Sequence, residues 1–174
     1  MEDKQSIYWH QGMFLQPQHF QMADLHNQFQ QKPIREAGIP HFWGIGELEL
    51  VTSAIANRTV EVQSVRMLFP DHTYVEYPGN AVIQARPFDI DWVEGDKPFM
   101  VYLGLKKLSS VENNVAVVDN LIQAGSATTR FASLSNPPEV ADIYSDGPTA
   151  QVRSLLHVVK VFFETELDKL QDYS

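Results

Sequence analysis

Short runs in which apolar residues recur at every second position, broken by clusters of Gly, Pro, Asn and Asp, set the main constraint on what this chain can fold into. Gly46-Glu47-Leu48-Glu49-Leu50-Val51 and Thr59-Val60-Glu61-Val62-Gln63-Ser64-Val65-Arg66-Met67-Leu68 follow that alternation over much of their length, which sends one face inward and the other to water. Tyr74-Val75-Glu76-Tyr77 leads through Pro78-Gly79-Asn80 into Ala81-Val82-Ile83-Gln84-Ala85, two strands about a turn. Residues 99–105 are apolar almost throughout and read as a central strand. Arg130-Phe131-Ala132 and Val140-Ala141-Asp142-Ile143-Tyr144 fit the same picture. Many short strands separated by turn residues predict a mainly β, antiparallel sandwich or barrel, not alternating β and α units.

Residues 1–43 have a different character. They hold 8 of the 13 glutamines, 4 of the 6 histidines and 7 of the 19 aromatic residues, but only four acidic and three basic side chains. The net charge of −9 therefore belongs almost entirely to residues 44–174. The sequence divides into an N-terminal arm with a short helix, 1–43, and a β-sandwich, 44–174. In the arm, Tyr8-Trp9-His10-Gln11-Gly12-Met13-Phe14-Leu15 has neither helical nor strand period, and such an apolar segment must bury itself against something. From Pro17 to Gln31 a helix is predicted: Pro suits the first turn, Met22, Leu25 and Phe29 recur at three and four, and Pro33 forbids continuation. The segment 152–163 is ambiguous. Val152, Leu155, Leu156, Val159, Phe162, Phe163, Leu167 and Leu170 match a helical stripe, and the period favours helix, yet the β-branched and aromatic content of 156–163 is that of a buried strand.

Composition excludes several chemistries. Without cysteine there is no disulfide, thiolate metal site or thiol nucleophile. Residues 155–163, the longest nearly apolar stretch, include His157 and Lys160 and fall far short of the roughly 20 residues a membrane span needs. The start lacks the layout of a secretory signal, so a cytoplasmic protein without membrane insertion is expected. The acidic balance opposes non-specific binding of nucleic acid, which requires a basic surface to displace counterions; the densest basic pair is Lys106-Lys107.

Motifs for catalysis fail on inspection. Gly44-Ile45-Gly46 has Glu49 where a dinucleotide loop needs its third glycine, and it precedes a strand instead of a helix. Asp89-Ile90-Asp91-Trp92-Val93 lacks an oxygen ligand at the fifth position of a calcium loop and reads as a solvated acidic turn. His19 and His26 lie two helical turns apart, about 10 Å, too far to share one ion. Glu164-x-Glu166-x-Asp168 reads as like charges that blunt an exposed strand edge. Neither a cofactor nor a metal is expected, and an enzyme is not.

One block is specific. Tyr8-Trp9-His10-Gln11-Gly12-Met13-Phe14-Leu15-Gln16-Pro17-Gln18-His19-Phe20-Gln21 resembles the N-terminal signature of the TssK family of type VI secretion baseplate adaptors, also called ImpJ or VasE, approximately W-x-E-G-M-F-L-x-P-Q-H-F-Q. Ten of the thirteen signature positions agree, with Gln11 where Glu is usual and Gln16 where Arg or Lys is common. The resemblance implies that the chain is the N-terminal shoulder domain of a longer protein, an antiparallel β-sandwich like the shoulders of phage receptor-binding proteins. It implies docking onto the wedge proteins TssF and TssG. It also implies a trimer formed by a neck outside this sequence, contact with the membrane-complex proteins TssL and TssM only through a C-terminal head, and a strand at 152–163.

The aromatic, weakly charged arm has the composition of an interface core. Tyr8, Trp9, Met13, Phe14, Leu15 and Phe20 are the candidate residues for contacting a partner or anchoring the arm, with some of Trp9, Phe14 and Phe20 expected to anchor it internally and the rest to face outward. The alternative is a carbohydrate- or receptor-binding sandwich using Trp92, Tyr74 and Tyr77 beside acidic loops. A metal-dependent enzyme built on the histidines of the arm is a weaker third reading.

Overall fold

The computed structural model describes residues 4–10, 12–31, 43–89, 98–142 and 146–174. Its strands are β1 (Ser6–Ile7), β2 (Gly44–Leu50), β3 (Thr59–Val60), β4 (Val62–Leu68), β5 (Tyr74–Tyr77), β6 (Ala81–Ile83), β7 (Arg86–Pro87), β8 (Val101–Leu105), β9 (Val115–Val118), β10 (Phe131–Leu134), β11 (Glu139–Val140), β12 (Ala150–Gln151) and β13 (Ser154–Phe163). The helices are α1 (Pro17–Gln30), α2 (Thr52–Ala56), α3 (Leu121–Ser126) and a 3-10 helix, Glu164–Asp172. The protein is mainly β, with mostly antiparallel sheets and few short helices.

β13 is the spine of the larger sheet. At His157 it pairs with Phe131 of β10 and Ala81 of β6, and at Val159 with Ile83 of β6 and Leu105 of β8. A strand residue has one neighbour on each side, so β6 occupies one edge and β10 and β8 the other. β1 pairs with its first two residues. The ladders are antiparallel except β6 with β13 and β9 with β10.

Covered on both faces, β13 buries Leu156, His157, Val158, Val159, Val161, Phe162 and Phe163. The helical stripe inferred for 152–163 is thus overturned in favour of the strand that the resemblance implied. A strand buried on both faces is a continuous apolar run, and such a run satisfies a helical period as readily as any other.

The second sheet has the order β2-β4-β5. Along β4 the side chains of Val65 and Met67, and Phe69 just beyond, turn inward at every second position and are buried. Val62 joins them although it is three residues from Val65, because Glu49 pairs with Ser64 and Leu50 with Val62, leaving Gln63 as an extra bulged residue. These side chains meet Val75 of β5 and then Ala81, Leu105 and Val159 of the larger sheet. The main core lies between the two sheets, as in a sandwich.

Other sequence expectations are corrected. Residues 101–105 form a strand that is not central, since among the described residues β8 pairs along one edge with β13 and along the other only with the last residues of the chain. The apolar face of β2 is not buried: Ile45, Leu48 and Leu50 remain exposed. Glu164-x-Glu166-x-Asp168 lies on the 3-10 helix, and Glu166 is buried. The expected strand at 140–144 is seen as β11, which ends at Val140, and residues 143–145 lie outside the described residues. β9 lies outside the strands the alternation predicts, although Val115-Ala116-Val117-Val118 is bounded by Asn113-Asn114 and Asp119-Asn120. α3 follows from the same boundary, where the Asn120 side chain caps it by accepting from the Gln123 N–H at 2.9 Å.

Candidate interaction surface

The arm is held by its less conspicuous residues. Ser6 and Ile7 pair with Leu155 and Ser154, and the Tyr8 N–H donates to the Arg153 carbonyl at 2.7 Å. Ile7 is buried with Met22 of α1 and with Ala150 and Val152. Farther along α1, Phe29 is buried 5.2 Å from the ring of Tyr74. The start of α1 is pinned twice. Gln18 is buried and its Nε2 donates to the Pro148 carbonyl at 2.7 Å, while Gln21 Nε2 donates to Asp142 Oδ1 at 2.9 Å.

His19 acts as an internal cap. It is 1% exposed, and its Nδ1 accepts the N–H of Gln16 at 3.2 Å, while its own N–H donates to the Gln16 carbonyl at 3.0 Å. That satisfies a donor at the helix start, places the proton of the neutral ring on Nε2, and fixes how the preceding chain enters α1. Gly12, at φ +81°, makes the turn before it.

The conspicuous residues point outward. Trp9 is 52% exposed, Phe14 82%, Leu15 51% and Phe20 57%, and Tyr8 and Met13 are half-buried. Trp9 rests one side at 6.5 Å from the His19 ring, and Tyr8 lies 5.5 Å from His10. Trp9 thus lies against the start of α1, which Phe14 and Leu15 precede and Phe20 belongs to, and none of Trp9, Phe14 and Phe20 is buried. Anchoring falls to Ile7, Gln18, His19, Met22 and Phe29. The small polar pair was missed as an anchor because Gln and His carry no hydrophobic signal.

No Asp, Glu, Lys or Arg occurs from Ser6 to Ala23. A partner can cover this surface without stripping water from an ion, the largest cost in burying polar surface. Apolar groups of this size held exposed on a pinned backbone have the character of interface anchors.

The remaining sequence candidates that fall among the described residues have structural surroundings of their own. Tyr74 is buried and Tyr77 half-buried, so no platform for a sugar ring forms from them, and Trp92 lies outside the described residues. Of the acidic loop only Asp89 is described, 3.7 Å from Arg58. His41 is outside the described residues, and among those described no three His, Asp or Glu side chains come together as a metal site. Lys106 pairs with Glu112 at 3.2 Å, and Lys107 Nζ donates to the Gln171 carbonyl at 2.8 Å. His157 is buried beside Phe131; burial, with Arg130 and His26 adding to it, pushes the imidazole down to about 3. The buried Arg130 in turn donates to the Lys106 carbonyl, to Asp71 Oδ2 at 2.8 Å and to Thr73 Oγ1. Burial works to raise the pKa of Asp71, but hydrogen bonds from Thr73 and Arg130 outweigh it and hold the carboxyl below its ordinary value. These groups brace the sandwich. No helix among the described residues is long and apolar enough to cross a membrane.

Residues 19–174 match the model of a protein family described as bacterial type VI secretion, VC_A0110, EvfL, ImpJ, VasE. The chain belongs to that family. Within the ImpJ/VasE/TssK group it resembles the type VI secretion system baseplate component TssK1 of Pseudomonas aeruginosa, at 30% identity over 99 residues, which is 57% of this chain and 22% of the relative. Its fold matches a chain of the cryo-electron-microscopy structure of the type VI secretion system TssK–TssF–TssG baseplate subcomplex, with a TM-score of 0.58 at 19% identity, over 91% of this chain and 50% of that one. A crystal structure of TssK gives the same TM-score at 20% identity, over 92% of this chain and 35% of the other. The chain thus spans about a fifth of the curated TssK relative and between a third and a half of the solved chains. The ImpJ/VasE/TssK membership agrees with the signature residues, and the family is one of type VI secretion baseplate components.

Proposed function

We propose that this chain is a non-catalytic assembly module, one domain of a longer baseplate adaptor, which docks onto wedge subunits of the TssF and TssG type through the exposed face of its arm. The observation that carries this reading is the contrast at the start of α1: Gln18 and His19 are buried and bonded, while Phe14, Leu15 and Phe20 beside them stand in solvent. A fold that only needed to pin its arm would bury its largest apolar groups first. The relatives' own assembly with TssF and TssG supports the choice of partner. Trimer formation and contact with membrane-complex proteins of the TssL and TssM type fall, on this reading, to parts of the adaptor outside these residues, and the working compartment is the cytoplasm.

The test is co-purification with the TssF and TssG counterparts from the same cell. Truncation of residues 1–20 is a poor probe, because it also removes Ile7, Gln18 and His19. The triple variant Trp9→Ala, Phe14→Ala, Phe20→Ala keeps those anchors and should lose capture of the wedge proteins while melting as a folded domain. Undiminished capture by that variant would falsify the role of the arm.

A further inference from the structure

The final residues of the chain occupy half of an open sheet edge. Tyr102 of β8 pairs with Phe162 and Gly104 with Lys160, and the Glu164 N–H donates to the Met100 carbonyl at 3.2 Å. The even-numbered residues of β8 therefore turn their backbone groups toward β13 and the odd-numbered ones away from it. On the far side the Leu105 N–H donates to the Ser174 carbonyl at 3.1 Å and its carbonyl accepts the Ser174 N–H at 2.8 Å. The Lys107 N–H donates to the Asp172 carbonyl at 2.8 Å, and Tyr173 bridges Lys106 in the antiparallel sense. Among the described residues no strand continues along this edge past Leu103 and Val101.

Beside that edge lies an open apolar groove of about 1020 Å³, lined by Ile45, Leu48, Leu50, Phe99, Val101 and Leu103 among others. β2, which forms one wall, pairs only with β4 and keeps its other edge unpaired among the described residues. An unpaired edge over an exposed apolar floor is a template for an added strand.

The polarity of Tyr173 and Ser174 says what fits there. An extended chain continuing from Ser174 opposite Leu105 sets its second residue opposite Leu103 and its fourth opposite Val101. Directly paired residues share a face. The Tyr173 ring lies on the face of Gly104, 4.7 Å from Phe162 in an edge-on contact, so alternate positions starting from Ser174 lie on the groove side. We propose that in the longer protein the polypeptide after Ser174 runs as a strand along β8 and closes the groove, with apolar side chains two and four residues beyond Ser174. This inference rests on the reading that the chain is one domain of a longer protein.

Amide hydrogen exchange on the longer protein and on the 174-residue chain tests it. The Val101 and Leu103 amides should exchange roughly tenfold more slowly, or slower still, in the longer protein. Equal exchange in the two, whether fast or slow, overturns the proposal. So does protection that appears only when another protein is added, which assigns the edge to a strand from a different molecule. Val101→Pro gives an independent readout, because it removes an N–H aimed at the open edge, a position that tolerates proline. It should lower the melting temperature of the longer protein by a few degrees and leave that of the 174-residue chain in place; equal effects on both count against the strand. A native protein with the mass of these 174 residues alone overturns the domain reading itself, an outcome distinct from an edge that stays open in a longer chain.

Discussion

Arg86 of β7 and Glu166 of the 3-10 helix meet with Nη1 2.7 Å from Oε2, beside Phe163, the last residue of β13. The Arg86 guanidinium lies 4.5 Å over the Phe163 ring and also donates to the Val161 carbonyl at 2.7 Å. Glu166 Oε1 accepts from Lys169 at 2.9 Å, and the Phe163 N–H donates to Oε2 at 3.3 Å. Removing the carboxylate leaves a partly buried guanidinium without its anion. Glu166→Ala should therefore lower unfolding stability by about 3 kcal/mol, and Glu166→Gln, which keeps an acceptor, by less; urea denaturation of the three proteins checks the order.

Hydrogen bonding from Arg86, against an opposing contribution from burial and helped by Lys169, lowers the Glu166 carboxyl to about 2. A carboxyl depressed on folding contributes stability above its unfolded value, and that contribution is lost as pH falls from near 4.5 toward 2. Glu166→Gln should flatten the stability profile in that window and leave the profile above pH 6 with its original shape.

His157 acts in the neighbouring window with the same sign. Burial keeps it neutral in the fold down to about pH 3, while the unfolded chain takes up a proton near 6.5, so stability declines as pH falls through that interval. One proton is worth about 1.4 kcal/mol per pH unit. His157→Phe should reduce the slope of stability against pH between about 6 and 4 by up to that amount, whatever its effect on absolute stability. An unchanged slope would show that the imidazole is protonated in the folded state.

Met22 and Phe14 predict opposite behaviour on one short segment. Met22 is buried against Ile7 and Val152, and Met22→Ala should cost about 2–4 kcal/mol and loosen α1. Phe14 is exposed, and Phe14→Ala should change stability by less than about 0.5 kcal/mol while weakening the proposed docking on wedge proteins by tenfold or more. Thermal melts paired with a binding assay separate the two roles.

Gly104 probes the contact between β8 and the end of the chain. A Cβ there would meet Phe162 Cε2 at 2.9 Å and Tyr173 Cδ1 at 3.3 Å, so both rings would have to shift. Gly104→Ala should cost about 1–3 kcal/mol, and the loss should shrink when Tyr173→Ala is made in the same chain.

The sequence by itself determined the class of fold and the family. Alternation in β4 marked Val65 and Met67 as inward, Pro17 and Pro33 bracketed α1 within a residue or two, and the order of Trp9, Met13, Pro17 and His19 carried the resemblance. These are local properties, written in neighbouring residues. Tertiary structure decided the rest. Whether 154–163 is a strand or a helix depends on being covered on both faces, which erases the period that would have told them apart. Whether β2 and β8 are central or peripheral depends on which strands arrive beside them, and apolar side chains look the same in sequence whether they face a core or an open groove. The arm shows the same limit most plainly. Trp9, Phe14 and Phe20 stand out in the sequence because they are large and apolar, but only packing assigned burial to Gln18 and His19 instead, since a polar side chain can be buried once its hydrogen bonds are met: Gln18 bonds the distant Pro148 carbonyl, while His19 closes a local cap on Gln16.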